Sequence, residues 1–113
     1  MTLKLLSLIF FLSLTSLAWA AYSDSQIADA IYSAEGGAKT SHPYGILAHY
    51  KHTTPRQACI NTIIHARKDW NGKGDFILFL QKRYCPIGAS NDPTGLNKNW
   101  LKNVNYNLTK GGR

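Results

Sequence analysis

The chain has 113 residues, enough for one domain but too few for a Rossmann enzyme, a TIM barrel or a two-domain cleft enzyme. Lysines and arginines total 13 against 6 aspartates and glutamates. The resulting net charge of +7 indicates an anionic partner, such as nucleic acid, a membrane surface or an acidic polysaccharide. Hydrophobic residues make up 44% and aromatic residues 12% of the chain, which excludes a disordered tail.

The N-terminal segment, residues 1–20, has the pattern of an export signal. A short basic start and an apolar run, Leu5–Leu17, precede the small-x-small sequence Ala18-Trp19-Ala20. The run is shorter than the roughly 20 apolar residues that a membrane span needs. We therefore predict cleavage before Ala21 and a single periplasmic or secreted domain, residues 21–113, without stable membrane insertion. An uncleaved N-terminal anchor is the alternative.

The chain contains two cysteines, Cys59 and Cys85. An even cysteine count in a small exported domain indicates a disulfide, and two cysteines allow one pairing. We therefore predict a Cys59–Cys85 disulfide. A thiol nucleophile beside a base is the alternative.

Two helices are predicted in the first part of the mature chain. The first covers Asp24–Glu35, with Asp24 or Ser25 as its N-cap and Gly36-Gly37 at its end. The second covers Pro55–Trp70; Thr54 caps it, proline suits its first position, and Gly72 ends it. Each has an apolar stripe at helical spacing: Ile27, Ala30, Ile31 and Ala34 in the first, and Cys59, Ile63, Ala66 and Trp70 in the second.

Two further helices are predicted towards the C-terminus. One begins after Asp75 as N-cap and ends before Pro86, and the other covers Asn97–Asn107. Between the helices, Ala38–Thr53 has no helical period and is predicted as a loop with a short hairpin around Tyr44–Tyr50. A second irregular stretch, Ile87–Gly95, contains the turn Asn91-Asp92-Pro93. The predicted fold class is mainly α: a compact helical domain with at most a short hairpin and one disulfide.

Glu35 departs from the amphipathic pattern of the first helix. It lies in the last turn, in the same angular sector as Ile31 and Ala34, which face the core. It also lies at the negative end of the helix dipole. Both effects favour the neutral carboxylic acid and are expected to raise its pKa, as a glycosidase general acid requires. A glutamate that reaches solvent, or pairs with Lys39 or Arg56, is the alternative.

The positions of the carboxylates limit which glycosidase mechanism fits the sequence. A two-carboxylate glycosidase needs a partner roughly 5–10 Å from its acid, but no aspartate or glutamate lies between Gly36 and Lys68. Of the other acids, Asp24 and Asp75 have cap positions, Asp29 faces away from Glu35, and Asp69 lies beside the apolar stripe. A single acid/base mechanism therefore fits better, with Asp92 as the remaining candidate partner.

These motifs resemble a known superfamily. The sequence Ala-Ile-Tyr-Ser-Ala-Glu35-Gly36-Gly37, followed by Tyr44-Gly45-Ile46, resembles the catalytic start of lysozyme-like and lytic transglycosylase-like proteins. The stretch from Asp75 through Arg83-Tyr84-Cys85-Pro86 to Leu96-Asn97, Trp100 and Asn103-Val104 resembles the closing segment of small exported or phage-type members. The resemblance covers most of the mature chain, and the order of the motifs makes it more specific than any one of them.

The resemblance implies a muramidase-like fold and cleavage of the β-1,4 bond between N-acetylmuramic acid and N-acetylglucosamine. Glu35 would protonate the bridging oxygen and then act as the base. Substrate contacts are expected from His42, Tyr44, Gly45, Ile46 and Tyr84; a structural role in the loop is the alternative for His42 and Tyr44. The expected partner is the peptidoglycan glycan strand, bound by a monomer without a cofactor.

Other chemistries fit the sequence less well. Zinc is not expected, because the spacing of His49 and His52 comes without a cysteine or carboxylate partner nearby. Nucleic acid is not expected either, since the modest basic clusters at Lys82-Arg83 and Lys98–Lys102 do not show the aromatic-basic interleaving of a known nucleic-acid reader. Two alternatives to an enzyme of the cell wall stay open: a non-catalytic wall-binding or inhibitory module, and a small cationic secreted nuclease or antimicrobial protein.

Overall fold

A computed structural model of the chain describes residues 22–46, 49–88, 95 and 97–111. The predicted signal peptide, its cleavage before Ala21 and the turn Asn91-Asp92-Pro93 lie outside these residues. The described part contains four α-helices and one short 3₁₀ helix. In chain order they are α1 (Asp24–Ala34), the 3₁₀ helix (Gly37–Lys39), α2 (Pro55–Asp69), α3 (Phe76–Tyr84) and α4 (Lys98–Gly111).

The prediction of a mainly α, compact fold is confirmed for this part of the chain, and the lysozyme-like identity of the fold stays a prediction. The expected hairpin around Tyr44–Tyr50 is not formed by its described residues, which are all non-strand; Leu47 and Ala48 lie outside the description. The loop instead contains a tight turn, from His42 to Gly45, closed by a backbone hydrogen bond of 2.8 Å.

The helix starts follow local capping rules. Thr54 caps α2 and Asp75 caps α3, as predicted, because each side-chain oxygen accepts a hydrogen bond from a first-turn N–H. The predicted caps of α1 were wrong: Ser23 is the N-cap, and it forms a reciprocal capping box with Gln26 at 2.8 and 3.1 Å.

The helix ends differ by a few residues from those predicted. Helices α1 and α2 end one residue early, at Ala34 and Asp69. Helix α4 begins at Lys98 and continues past Asn107 to Gly111.

The core lies where α1 contacts its neighbours. Helix α1 packs most extensively against α4 and also against α2, while α3 contacts both α2 and α4. Each helix contributes at least one fully buried apolar side chain: Ile27 and Ile31, Ile63, Leu80 and Val104. Burying each of these stabilises the fold by about 1.5–3 kcal/mol.

Three arginine–aspartate pairs join the helices at the surface. They are Arg56–Asp29 (2.7 Å) and Arg67–Asp24 (2.5 Å) between α2 and α1, and Arg83–Asp69 (2.6 Å) between α3 and α2. Since these side chains are partly exposed, each pair is worth at most about 1 kcal/mol. These pairs bear on function because Asp24, Asp29 and Asp69 are each already paired with an arginine.

The predicted Cys59–Cys85 disulfide was wrong: in the part of the chain described here, both residues are thiols. Cys59 points into the core from α2 and has no exposed surface. The side chain that lies against it from α3 is that of Tyr84, whose hydroxyl interacts with the thiol. Cys85, the next residue along, is the C-cap of α3 and lines a cavity described below.

The corrected cysteine state leads to a measurable expectation. Denatured, unreduced protein should titrate as two thiols per chain, and adding a reductant to the folded protein should leave its Tm unchanged. A disulfide would behave differently, because losing one from a small domain costs about 2–5 kcal/mol, which lowers Tm by many degrees. A clear drop of Tm on reduction would therefore contradict the structure.

Among the described residues, no helix has both the length and the apolar composition that crossing a membrane requires.

Candidate functional site

The site is built around Glu35, the residue that terminates α1. Its backbone N–H donates to the Ile31 carbonyl at 2.9 Å, and its own φ and ψ of −89° and 8° depart from the helix. The side chain is half-buried. A carboxyl group is thus held at the carbonyl end of a helix, where the dipole disfavours its negative charge.

The turn from His42 to Gly45 brings the backbone against this carboxyl group. Pro43 fits the second position of such a turn and glycine its fourth. Gly45 has a φ of +68°, and a Cβ atom at this position would lie 3.0 Å from Cδ of Glu35 and 3.1 Å from both carboxyl oxygens. Any other side chain at this position would crowd the carboxyl group, so glycine allows the backbone to approach it closely.

Tyr44 anchors the turn from both ends. Its ring packs on Tyr32 with centroids 5.3 Å apart, and its hydroxyl accepts a hydrogen bond of 3.1 Å from Nη1 of Arg56. Its carbonyl oxygen accepts a 2.5 Å hydrogen bond from the Tyr84 hydroxyl. Helices α2 and α3 therefore both hold the residue that precedes Gly45.

A small cavity of about 150 Å³ opens beside the carboxyl group. It is lined by Glu35, Gly45, Tyr84, Cys85, Pro86 and Asn97. Typical ligand pockets enclose about 300–1,000 Å³. The cavity therefore has room for one small substituent, and a polymeric ligand would lie mainly across its rim.

Burial raises the pKa of Glu35 above its ordinary value. The indole N–H of Trp100 acts in the opposite direction, because it faces the carboxyl group and favours the ionised form. The same Nε1 atom is buried and has no partner at full hydrogen-bond geometry. The net effect on the pKa is upward, which keeps the acid protonated to a higher pH than an exposed glutamate.

Two other ionisable side chains near Glu35, those of Tyr84 and Cys59, favour their neutral forms. Burial is the main reason that the pKa values of both Tyr84 and Cys59 lie above their ordinary ranges. A thiol with a raised pKa is a poor nucleophile, since the thiolate is the reactive form. Cys59 is therefore part of the packing rather than a nucleophilic centre.

The predicted site residues are partly brought together. Glu35, Gly45 and Tyr84 all line the cavity. Tyr44 is only 7% exposed and is used for packing, so its carbonyl rather than its ring supports the site. His42 and Ile46 are half-buried at the two sides of the turn, outside the cavity lining.

The sequence did not predict that Pro86, Asn97 and Trp100 belong to the site. All belong to the closing motif, but nothing local indicates that they reach α1. Asn97 is held by two contacts, since its carbonyl accepts from Nε2 of Gln81 at 3.1 Å and its Nδ2 donates to the Pro86 carbonyl at 2.9 Å.

The other described carboxylates are engaged away from the cavity. Asp24, Asp29 and Asp69 form ion pairs with arginines, and Asp75 caps α3. Asp92 lies outside the described residues. Within the described ranges no group of histidines, cysteines and acids is arranged to hold a metal ion.

A second, larger cavity of about 400 Å³ lies between α1 and the end of α4. Its lining consists of Tyr22, Gln26, Asp29, Ala30, Ser33, Asn107, Leu108 and Lys110. The one carboxylate in it, Asp29, is neutralised by Arg56. Despite its size, this groove lacks a group poised for proton transfer, so the chemistry points to the smaller cavity at Glu35.

No protein-family model matches the chain, and the searches of curated proteins and of solved structures found no significant match.

Proposed function

We propose that the protein is an exported peptidoglycan-cleaving glycosidase, a lysozyme or lytic transglycosylase, in which Glu35 is the single acid/base. The observation that carries this proposal is the state of Glu35. Of the described carboxyl groups, it is the one that neither forms an ion pair nor accepts an N-cap hydrogen bond; it lines a cavity, and burial raises its pKa. These are the properties of a general acid.

In the proposed reaction, Glu35 first donates its proton to the oxygen of the β-1,4 bond. The bond from the muramic C1 to that oxygen breaks, and the leaving sugar departs with the proton as its new hydroxyl group. The muramic 6-hydroxyl, or water, then attacks C1 and gives its proton to the Glu35 carboxylate, which restores the acid. The substrate's N-acetyl group stabilises the positive charge at C1 in place of a second carboxylate.

The distribution of positive charge supports an anionic polymer as the partner. The described arginines are engaged in ion pairs, whereas every described lysine is exposed. These lysines, which provide the surface charge, are Lys39, Lys51, Lys68, Lys73, Lys82, Lys98, Lys102 and Lys110. Exposed positive charge raises the local concentration of an anionic wall polymer and speeds its association.

The size of the cavity favours a second candidate, a wall-binding module that does not cleave. At about 150 Å³ the cavity is small for a glycan ligand. A binding-only protein would retain the lysine surface and would need no turnover at Glu35.

Digestion of purified peptidoglycan by the full-length protein separates the two candidates. We expect soluble muropeptides to appear, and their mass distinguishes hydrolysis from formation of a 1,6-anhydro product, which is lighter by one water. Co-sedimentation with the wall without any released muropeptide would contradict the enzyme and support the binding module. A protein that neither released muropeptides nor bound the wall would contradict both candidates.

A further inference from the structure

Trp100 lies next to Glu35, close enough for its indole N–H to act on the carboxyl group. It lies in the first turn of α4, and its side chain is only 5% exposed. The indole stacks on Tyr84, with centroids 5.6 Å apart and planes inclined by 29°. This stacking fixes the orientation of the ring and therefore of its N–H.

The indole N–H of Trp100 is an unsatisfied hydrogen-bond donor. Nε1 is buried and has no hydrogen-bond partner, although a buried unsatisfied donor is costly and rare. An indole can only donate. The polar group that it faces is the carboxyl group of Glu35, which is a far stronger acceptor when it is ionised.

We propose that Trp100 is the positioning residue of Glu35: its fixed indole N–H becomes the hydrogen-bond donor to the carboxylate once Glu35 has given up its proton. The role of Trp100 in the reaction rests on the proposed function. The contact between its indole N–H and the Glu35 carboxylate does not depend on whether the protein is active. The N–H holds one carboxylate oxygen, so the other stays directed at the hydroxyl that must be deprotonated.

The other ionisable groups around the Glu35 carboxyl group come from α2, from α3 and from the residue that follows α3. Helix α2 contributes the Cys59 thiol, and α3 contributes the Tyr84 hydroxyl, both with pKa values raised by burial. Cys85 follows α3 and lines the cavity. Arg56, the cation whose charge reaches Cys59, is occupied by Asp29 and Tyr44. From α4, Trp100 is the group that contacts the carboxylate.

The composition of the chain makes a direct test possible, because Glu35 is its only glutamate. Selective ¹³C labelling of the glutamate side-chain carboxyl therefore gives one titrating carboxylate signal in NMR. We expect Trp100→Phe, which removes the N–H and keeps an aromatic ring against Tyr84, to raise the pKa of Glu35 by about 1, the equivalent of one hydrogen bond to a charged group. The alkaline limb of the kcat/KM profile on peptidoglycan should move upward with it.

Trp70→Phe is the matched control. It also removes a tryptophan N–H, one that donates to the Lys73 carbonyl at 3.1 Å, and Trp70 packs on Phe76 away from the cavity. We expect the pKa of Glu35 to stay at its wild-type value in this variant. An unchanged or lowered pKa in Trp100→Phe would overturn the proposal.

A measurement on the unmodified protein covers the case in which Trp100→Phe does not fold. The ¹H–¹⁵N signal of the Trp100 indole should shift with pH at the same midpoint as the Glu35 carboxyl. An indole signal that ignores this titration would overturn the proposal. Both NMR measurements are independent of turnover, so an inactive protein would refute the proposed function without deciding the role of Trp100.

Discussion

Glu35→Gln should lower the release of muropeptides by at least 100-fold. General acid–base catalysis contributes about 10²–10⁴-fold, and an amide of nearly the same shape cannot donate a proton to the leaving oxygen. Binding to the wall should be retained, because it depends on the exposed lysines rather than on this side chain. Muropeptide release and co-sedimentation, measured on the same preparation, check both expectations.

The same substitution should not destabilise the protein. Glu35 forms no ion pair in the described part of the chain, and burial raises its pKa, so the folded state binds the proton more tightly than the unfolded state. The stability that this provides is complete below the ordinary pKa near 4.5 and is lost as the pH rises through the raised value. The Tm of Glu35→Gln should therefore exceed that of the wild type above this pH window and approach it below.

Asp69→Asn provides the matched control for Glu35→Gln. It makes the same acid-to-amide change in an ion pair with Arg83 at the surface. We expect this variant to keep wild-type turnover and to lose at most about 1 kcal/mol of folding stability. If Glu35→Gln instead lost stability and kept its turnover, Glu35 would be a structural residue, and the enzymatic proposal would fall.

Local sequence rules predicted the helices well, because the relevant contacts lie within a few residues of one another. Thr54 and Asp75 are followed directly by the helices that they cap. The raised pKa expected for Glu35 also follows from local facts, its helical sector and its place at a helix end.

Features that depend on side-chain direction between distant segments were not predictable. The cysteine count suggested a disulfide, but the end of α3 directs Tyr84, not Cys85, towards Cys59. The position of Trp100 next to Glu35 depends on how α4 packs across α1, which no motif spacing encodes.

Gly45→Ala should impair catalysis more than it impairs folding. The backbone at Gly45 has a φ of +68°, so any other residue is strained there by about 1–2 kcal/mol. In addition, the new methyl group would lie 3.0 Å from Cδ of Glu35, and the carboxyl group must move away. At this distance the carboxyl group has to shift by a few tenths of an ångström. We therefore expect a several-fold loss of rate, smaller than the roughly 100-fold loss that a displacement of about 1 Å can cause.

Gly72→Ala separates these two effects, because it reproduces the strain without the contact. Gly72 has a φ of +79°, and a Cβ atom there would meet no other atom within 4 Å. Both variants should lose similar stability. Only Gly45→Ala should show reduced muropeptide release, and only there should the pKa of Glu35 fall towards its ordinary value, because the displaced carboxyl group gains water. Equal activity in the two variants would show that contact with Gly45 does not set the position of the acid, and the cavity at Glu35 would lose its strongest geometric support.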